Sequence, residues 1–153
     1  MSGEAVEVMI LMGSESDREV MNKAAVTLGD LGIPHRVEVA SAHRTPDRVR
    51  QLVADGEVAG VKVFICGAGM AAHLAGAVAA HTVRPVIGVP LAGSALSGFD
   101  SLLSTVQMPR GVPVATVAIG GHGAVNAALL AAQMLALSNP EIDRQLKEMR
   151  VAR

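Results

Sequence analysis

Five short runs of aliphatic and β-branched residues, separated by longer stretches with helical spacing, set the kind of sheet this chain builds. Residues 7–12 (EVMILM) read as a buried strand that runs into Gly13-Ser14-Glu15-Ser16-Asp17. From 17 to 31 the apolar residues Val20, Ala24, Leu28 and Leu31 recur three or four apart, which predicts a helix. Gly32 stops it and Pro34 follows. Residues 35–40 are the second expected strand. Thr45-Pro46-Asp47 opens a second helix, with Thr45 as its N-cap and Pro46 at the first helical position. Residues 61–66 (VKVFIC) form the third strand, followed by Gly67-Ala68-Gly69 and an Ala-rich helix over 70–80. Further along, the pattern predicts a strand at 85–89, a short helix at 97–106 and a strand at 114–119. Gly120-Gly121-His122-Gly123 then leads into a helix to 137, and Asn139-Pro140-Glu141 opens a charged amphipathic helix to 150.

Strands that alternate with helices imply a parallel sheet covered on both faces. Right-handed crossovers turn that pattern into a doubly wound, three-layer α/β sandwich. The 153 residues suit one such domain with a real core. In this architecture ligands bind outside the carboxyl ends of the strands, so loops that follow strands are the candidates for function. The last helix has no obvious place in a five-stranded sandwich and is expected to pack on a neighbouring subunit.

Composition narrows the function. Thirteen Lys and Arg against fourteen Asp and Glu leave a net charge of −1, which is no footprint for nucleic acid. Phe64 and Phe99 are the only aromatic residues besides histidine, so no stacking platform for bases is expected. The single cysteine, Cys66, forms neither an internal disulfide nor a cysteine-rich zinc site, and it reads as a small core residue. The five histidines lack metal-ligand spacing, so no metal is expected. The acidic start MSGEAVEV is not a signal peptide, and no apolar run reaches the ~18 residues of a membrane span. A cytoplasmic location and no membrane partner are the resulting expectations. Charged residues make up 18% of the chain, below the roughly 25% usual for soluble domains. A monomer of this mass exposes about 7,300 Å², and so few charges leave much of that area apolar. An oligomer is therefore expected.

The loops after strands carry the chemistry. Gly13-Ser14-Glu15-Ser16-Asp17 offers backbone N–H groups and two hydroxyls at a helix start, which suits a phosphate. Asp17 would repel a phosphate, so a sugar hydroxyl is its better partner; Ser16 or Asp17 acting only as a helix cap is the alternative. Ser41-Ala42-His43-Arg44-Thr45-Pro46 places a proton carrier beside a fixed cation. Guanidinium grips phosphate or carboxylate, and imidazole gives and takes protons near neutrality. Gly67-Ala68-Gly69-Met70-Ala71-Ala72-His73-Leu74 lets a ligand approach the backbone. It departs from a dinucleotide fingerprint, because Ala72 replaces the third glycine and the loop follows the third strand. It reads as a wall of a mononucleotide site, with His73 either a packing residue or a participant. His122 can reach the same edge from the last Gly-rich loop. His81 and Arg84 precede a strand and belong at the opposite edge. Gln107 and Arg110, beside the turn at Met108-Pro109-Arg110-Gly111, suit a subunit contact.

With these loops in view, the sequence resembles the PurE family of purine biosynthesis along nearly its whole length. The resemblance is carried by Met12 to Asp17, Ser41 to Pro46, Gly67 to Leu74, Gly88-Val89-Pro90, Ala95 to Gly98, Ser104 to Gly111 and Asn126 to Gln133. One class of that family moves a carboxylate from the exocyclic nitrogen of carboxyaminoimidazole ribonucleotide to ring carbon C4. The other carboxylates aminoimidazole ribonucleotide with CO₂, and usually reads Ser-Ala-His-Lys in the second loop and Gly-Arg-Ser-Asn in the third. Arg44 and the Met70-Ala71-Ala72-His73-Leu74 form make this chain similar to the mutase class. Two departures are the absence of a Lys in Gly120-Gly121-His122-Gly123 and Met70, where many relatives carry Gly.

The resemblance implies a flavodoxin-like fold assembled as a homo-octamer, acting on a ribonucleotide without a cofactor. It implies His43 as general acid and base, and Ser14 and Arg44 with Ser41 at the nucleotide phosphate. It implies Asp17 at the ribose hydroxyls. Ser16, Ala42, Ala68, Gly69, Ala72, His73 and Leu74 complete the expected substrate site, with the third loop over the ring and the migrating carboxylate. Direct carboxylation is the alternative within the family, and a non-catalytic nucleotide-binding module is the alternative outside it.

Overall fold

A computed structural model describes residues 5–152; the first part of the acidic N-terminal segment, 1–4, and residue 153 lie outside it. The chain runs β1 (Val8–Met12), α1 (Arg18–Asp30), β2 (His35–Val39), α2 (Pro46–Ala59), β3 (Val63–Gly69), α3 (Leu74–Ala79) and β4 (Val86–Leu91). It continues through α4 (Phe99–Val106), β5 (Ala115–Thr116), α5 (Gly121–Ala136) and α6 (Pro140–Val151). A single 3₁₀ turn, Glu15–Asp17, joins β1 to α1. All strand pairs are parallel, in the order β2-β1-β3-β4-β5. This is the flavodoxin-like order, and it reverses direction between β1 and β3.

Alternation along β1 divides the core into two layers. Val8, Ile10 and Met12 face α1 and α5, with Met21, Ala24 and Leu28 from α1. Met9 and Leu11 face the other side with Phe64, Cys66, Val49 and Val53. All five residues of β1 are fully buried, as a central parallel strand requires. On α5 the buried residues Ala124, Ala127, Ala128, Ala131 and Ala132 let the helix lie close to the sheet.

Four elements differ from the sequence reading. β3 runs on through Gly67–Gly69, where Gly67, Ala68 and Gly69 pair with Val89, Pro90 and Leu91. A Cβ at Gly67 would stand 2.3 Å from Met21 Sδ, so glycine there serves close packing of α1 on the sheet. α3 begins four residues late, because Met70 adopts a left-handed conformation (φ 55°) that no helix accommodates. β5 shrinks to two residues. Val117 N–H donates to Gly88 O, so alternate β4 residues face β5, and Pro90 is the next of them. Proline has no N–H to continue that ladder, and pairing stops. Finally, α6 has a place within its own subunit. Asn139 caps it by accepting from Glu141 N–H and Ile142 N–H. Ile142 is buried, and Leu146 and Met149 pack against the α5 layer.

The chain exposes 8256 Å², more than the roughly 7,300 Å² expected of a monomer of this mass. Part of the excess is an apolar stripe on and before α4: Leu96, Phe99, Leu103 and Val106 are each between 43% and 60-odd per cent exposed.

Candidate active site

A cleft of about 460 Å³ opens at the carboxyl ends of β1 to β4, over the β1/β3 switch point. Four loops meet there. The first leaves β1 at Gly13, whose N–H donates to Gly67 O and ties the two strand ends together. Ser14 then caps the 3₁₀ turn: its Oγ accepts from Ser16 N–H at 3.3 Å and lies 3.0 Å from Ser16 Oγ. Capping is thus done by Ser14 and by neither of the two residues the sequence suggested. Asp17 sits at the start of α1 without a side-chain cap bond. Burial raises its carboxyl above the ordinary 3.8, while a hydrogen bond with the Ser14 backbone acts against that rise.

The second loop is held by its own hydroxyls. Thr45 Oγ1 accepts from Ser41 N–H at 3.0 Å and donates to Ser41 O at 3.2 Å, so it does not cap α2 as expected. Ser41 Oγ accepts from Arg44 N–H at 3.0 Å and keeps its own proton free to donate. The turn leaves His43 and Arg44 exposed on the cleft, with Ala42 half-buried beneath them. Among the described residues no carboxylate pairs with Arg44, Arg110 or Arg150, of which only Arg44 lines the cleft, whereas Arg18, Arg36, Arg48, Arg50, Arg84 and Arg144 all have acidic partners.

The third loop supplies Ala68, Gly69, Met70, Ala71, His73 and Leu74. The His73 ring lies edge-on to the His43 ring, with centroids 5.4 Å apart and planes at 81°. Ala72 does not line the cleft; it is buried, and its N–H donates to Ser104 Oγ at 2.9 Å. Met70, 63% exposed, carries the left-handed backbone at a cost of about 1–2 kcal/mol for a residue with a Cβ. Gly13, Met70, Ala71, Ala92 and Gly93 also line the cleft; they lie in loops that follow strands but were not singled out as individual site residues. The post-strand position of the Ala92 loop was visible in the sequence, but its small side chains announce no chemistry.

The remaining candidates fall elsewhere. Gly120-Gly121-His122-Gly123 forms the start of α5, outside the cleft lining, and His122 faces solvent. A Cβ at Gly123 would stand 1.7 Å from Ala118 O, which gives that glycine a steric reason to be there. His81 and Arg84 line a hollow at the opposite edge of the sheet. Cys66 is buried, and burial pushes its thiol pKa up. No helix among the described residues is long and apolar enough to cross a membrane, and no group of three His, Cys, Asp or Glu among them gathers as a metal site.

Sheet order and cleft together define a doubly wound α/β protein of the flavodoxin-like kind, with Ser14, Asp17, Ser41, His43, Arg44 and His73 gathered at the switch point. Within that class the chain belongs to the AIR carboxylase family, whose profile matches residues 7–153. It is 54% identical over 145 residues to the N5-carboxyaminoimidazole ribonucleotide mutase of Escherichia coli, covering 95% of this chain and 86% of that one. The Pyrococcus abyssi enzyme of the same name is 53% identical over 144 residues, covering 94% of this chain and 82% of that one. Among solved structures, that of Treponema denticola PurE superposes with a TM-score of 0.86 at 32% identity, covering 95% of this chain and 89% of that one.

Proposed function

We propose that this chain is an N5-carboxyaminoimidazole ribonucleotide mutase of purine biosynthesis, in one catalytic domain spanning 1–153. The observation that carries the reading is the meeting of His43 and unpaired Arg44 with Ser14, Asp17 and His73 in one cleft. A nucleotide presents the matching groups in the same order. Arg44, Ser14 and the free proton of Ser41 serve the phosphate, where charge-assisted and hydroxyl donors are required. Asp17 and Ser16 accept from and donate to the ribose hydroxyls. Ala42, Ala68, Gly69, His73 and Leu74 shape the wall and floor over the ring, with buried Ala72 behind them.

His43 then works in both directions. Protonated, it gives its proton to the exocyclic nitrogen; the C–N bond breaks, leaving CO₂ and the aminoimidazole nucleotide. Ring carbon C4 attacks CO₂ with its electron pair, and the now neutral His43 removes the C4 proton. One proton and one CO₂ leave and return, so the balance closes without another reactant. Confinement makes the return of CO₂ effectively unimolecular. The protein acts as a cytoplasmic homo-octamer. Its excess surface and the exposed stripe of Leu96, Phe99, Leu103 and Val106 support assembly, and α6 is free to add a contact with a neighbour on its outer face.

Purified protein supplied with the carbamate nucleotide tests the reading. Formation of the C4-carboxylated product without dependence on added bicarbonate is expected. Product formed only from the aminoimidazole nucleotide and bicarbonate would replace the mutase with direct carboxylation. Binding of nucleotide with no turnover from either would leave a non-catalytic module.

A further inference from the structure

We propose that Ser104, on α4 and outside the cleft lining, is a positioning residue for the reaction, holding the turn that presents His73 to His43; this rests on the reading of His43 as acid and base. The turn between β3 and α3 needs such a hold. Met70 is in the left-handed region without being glycine, and Ala71 is exposed, so local preference does not fix the path from Gly69 to His73. The Ala72 N–H precedes α3 and has no helical acceptor. It donates instead to Ser104 Oγ, at 2.9 Å across 32 positions of sequence.

The hydroxyl is well disposed for this task. It has one proton, and its shortest acceptor is Asp100 O, one helical turn back at 2.7 Å. That bond orients the oxygen and leaves its lone pairs to the Ala72 amide, with Met70 O more distant at 3.4 Å. α4 is itself anchored. Buried Ser101 donates to Leu91 O, at the end of β4, at 2.8 Å. Thr105 packs where a Cβ on Gly88 would stand only 2.4 Å from its Cγ2. A rigid path therefore runs from β4 through Ser101 and Ser104 to Ala72, one residue before His73. The His73 ring then meets the His43 ring edge-on at 5.4 Å. Loss of the hydroxyl frees the turn, and a displacement of about 1 Å in reacting groups is worth up to a hundredfold in rate.

Three measurements on the whole protein test this. Amide exchange in the wild type comes first: the Ala72 N–H is expected to be protected, and rapid exchange there overturns the proposal without any variant. Next, S104A is expected to lower kcat about tenfold with KM changed less than about twofold, and S104T, which keeps the hydroxyl at an exposed position, to recover most of the loss. Finally, the ring resonances of His43 and His73 are expected to shift in S104A and to return in S104T, a readout that simple loss of stability does not move. An S104A protein with wild-type kcat and unshifted imidazoles overturns the proposal, as does a loss shared equally by both variants. If the wild type fails to turn over the carbamate nucleotide, the functional reading falls, while exchange and ring resonances still decide the role of Ser104 in the turn.

Discussion

At the amino ends of the strands Arg84 lies 3.6 Å from Glu57, and Lys62 lies 3.1 Å from Glu7. Thr82 Oγ1 donates to the same Glu57 at 3.2 Å. At the carboxyl ends, among the described residues, Arg44 has no acidic partner, Asp17 is bonded only to the Ser14 backbone, and the His43 ring lies edge-on to that of His73. The hollow at the amino edge is the larger of the two, about 820 Å³ against about 460 Å³. Size therefore does not mark the edge proposed to carry the site. What sets the proposed site apart is that a proton carrier, a guanidinium without an acidic partner and a free hydroxyl proton converge there, ready for a ligand to satisfy.

The largest effect that sharpens this contrast is at His43. Replacement by Asn is expected to lower kcat by about 100- to 10,000-fold while nucleotide binding and assembly, followed by calorimetry and sedimentation, persist. Near-normal turnover would remove the catalytic meaning of the carboxyl edge. Arg44→Ala is expected to raise KM about tenfold or more, the weight of one charge-assisted bond to phosphate. A smaller effect with the opposite sign in stability is expected at Asp17. Folding raises its pKa, so the protonated group favours the fold, and that contribution is lost as pH rises through the raised value. At neutral pH the ionised group is a mild burden. Asp17→Asn therefore leaves the melting temperature equal or higher while KM rises, and melting curves that show clear destabilisation at neutral pH would contradict this. The smallest effect lies at the other edge. Because Glu57 and Arg84 are about a third to a half exposed, Glu57→Ala is expected to cost no more than about 1 kcal/mol of stability and to leave kcat/KM within about twofold. A large kinetic loss there would break the contrast.

Sequence periodicity was enough to place the strands, the order of helices and the loops that converge. Alternation in β1 and the three-to-four spacing of α1 are local properties, and local reasoning finds them. Its failures were local at the caps, where Ser14 and not Ser16 or Asp17 takes the turn after β1 and Thr45 bonds Ser41 instead of capping α2, and tertiary elsewhere. Gly67 to Gly69 look like a loop by propensity, yet they pair with β4, and the glycine at 67 leaves room for Met21 from α1. Residues 114–119 look like a full strand, yet Pro90 in the neighbouring strand ends the ladder after Thr116. The start of α3 depends on Met70 and on a hydroxyl 32 residues away. In the site, His43 and Arg44 were legible because adjacent chemistry at a strand end is itself a signal. Ala92 and Gly93 were not, since backbone alone announces no reaction. Gly120 to Gly123 drew attention for their composition, but the space around Gly123 accounts for that glycine by sterics.

The short β5 has a further bearing on what the margins of the sheet can pair with. One margin of the sheet is two residues long and follows Pro113, while the other, β2, carries Glu38, whose carboxylate accepts from both Arg36 and Arg48. Neither rim offers a long, flat row of free amides onto which a stranger could zip. A protein with half its residues hydrophobic thus has its route to fibrils blunted at both borders.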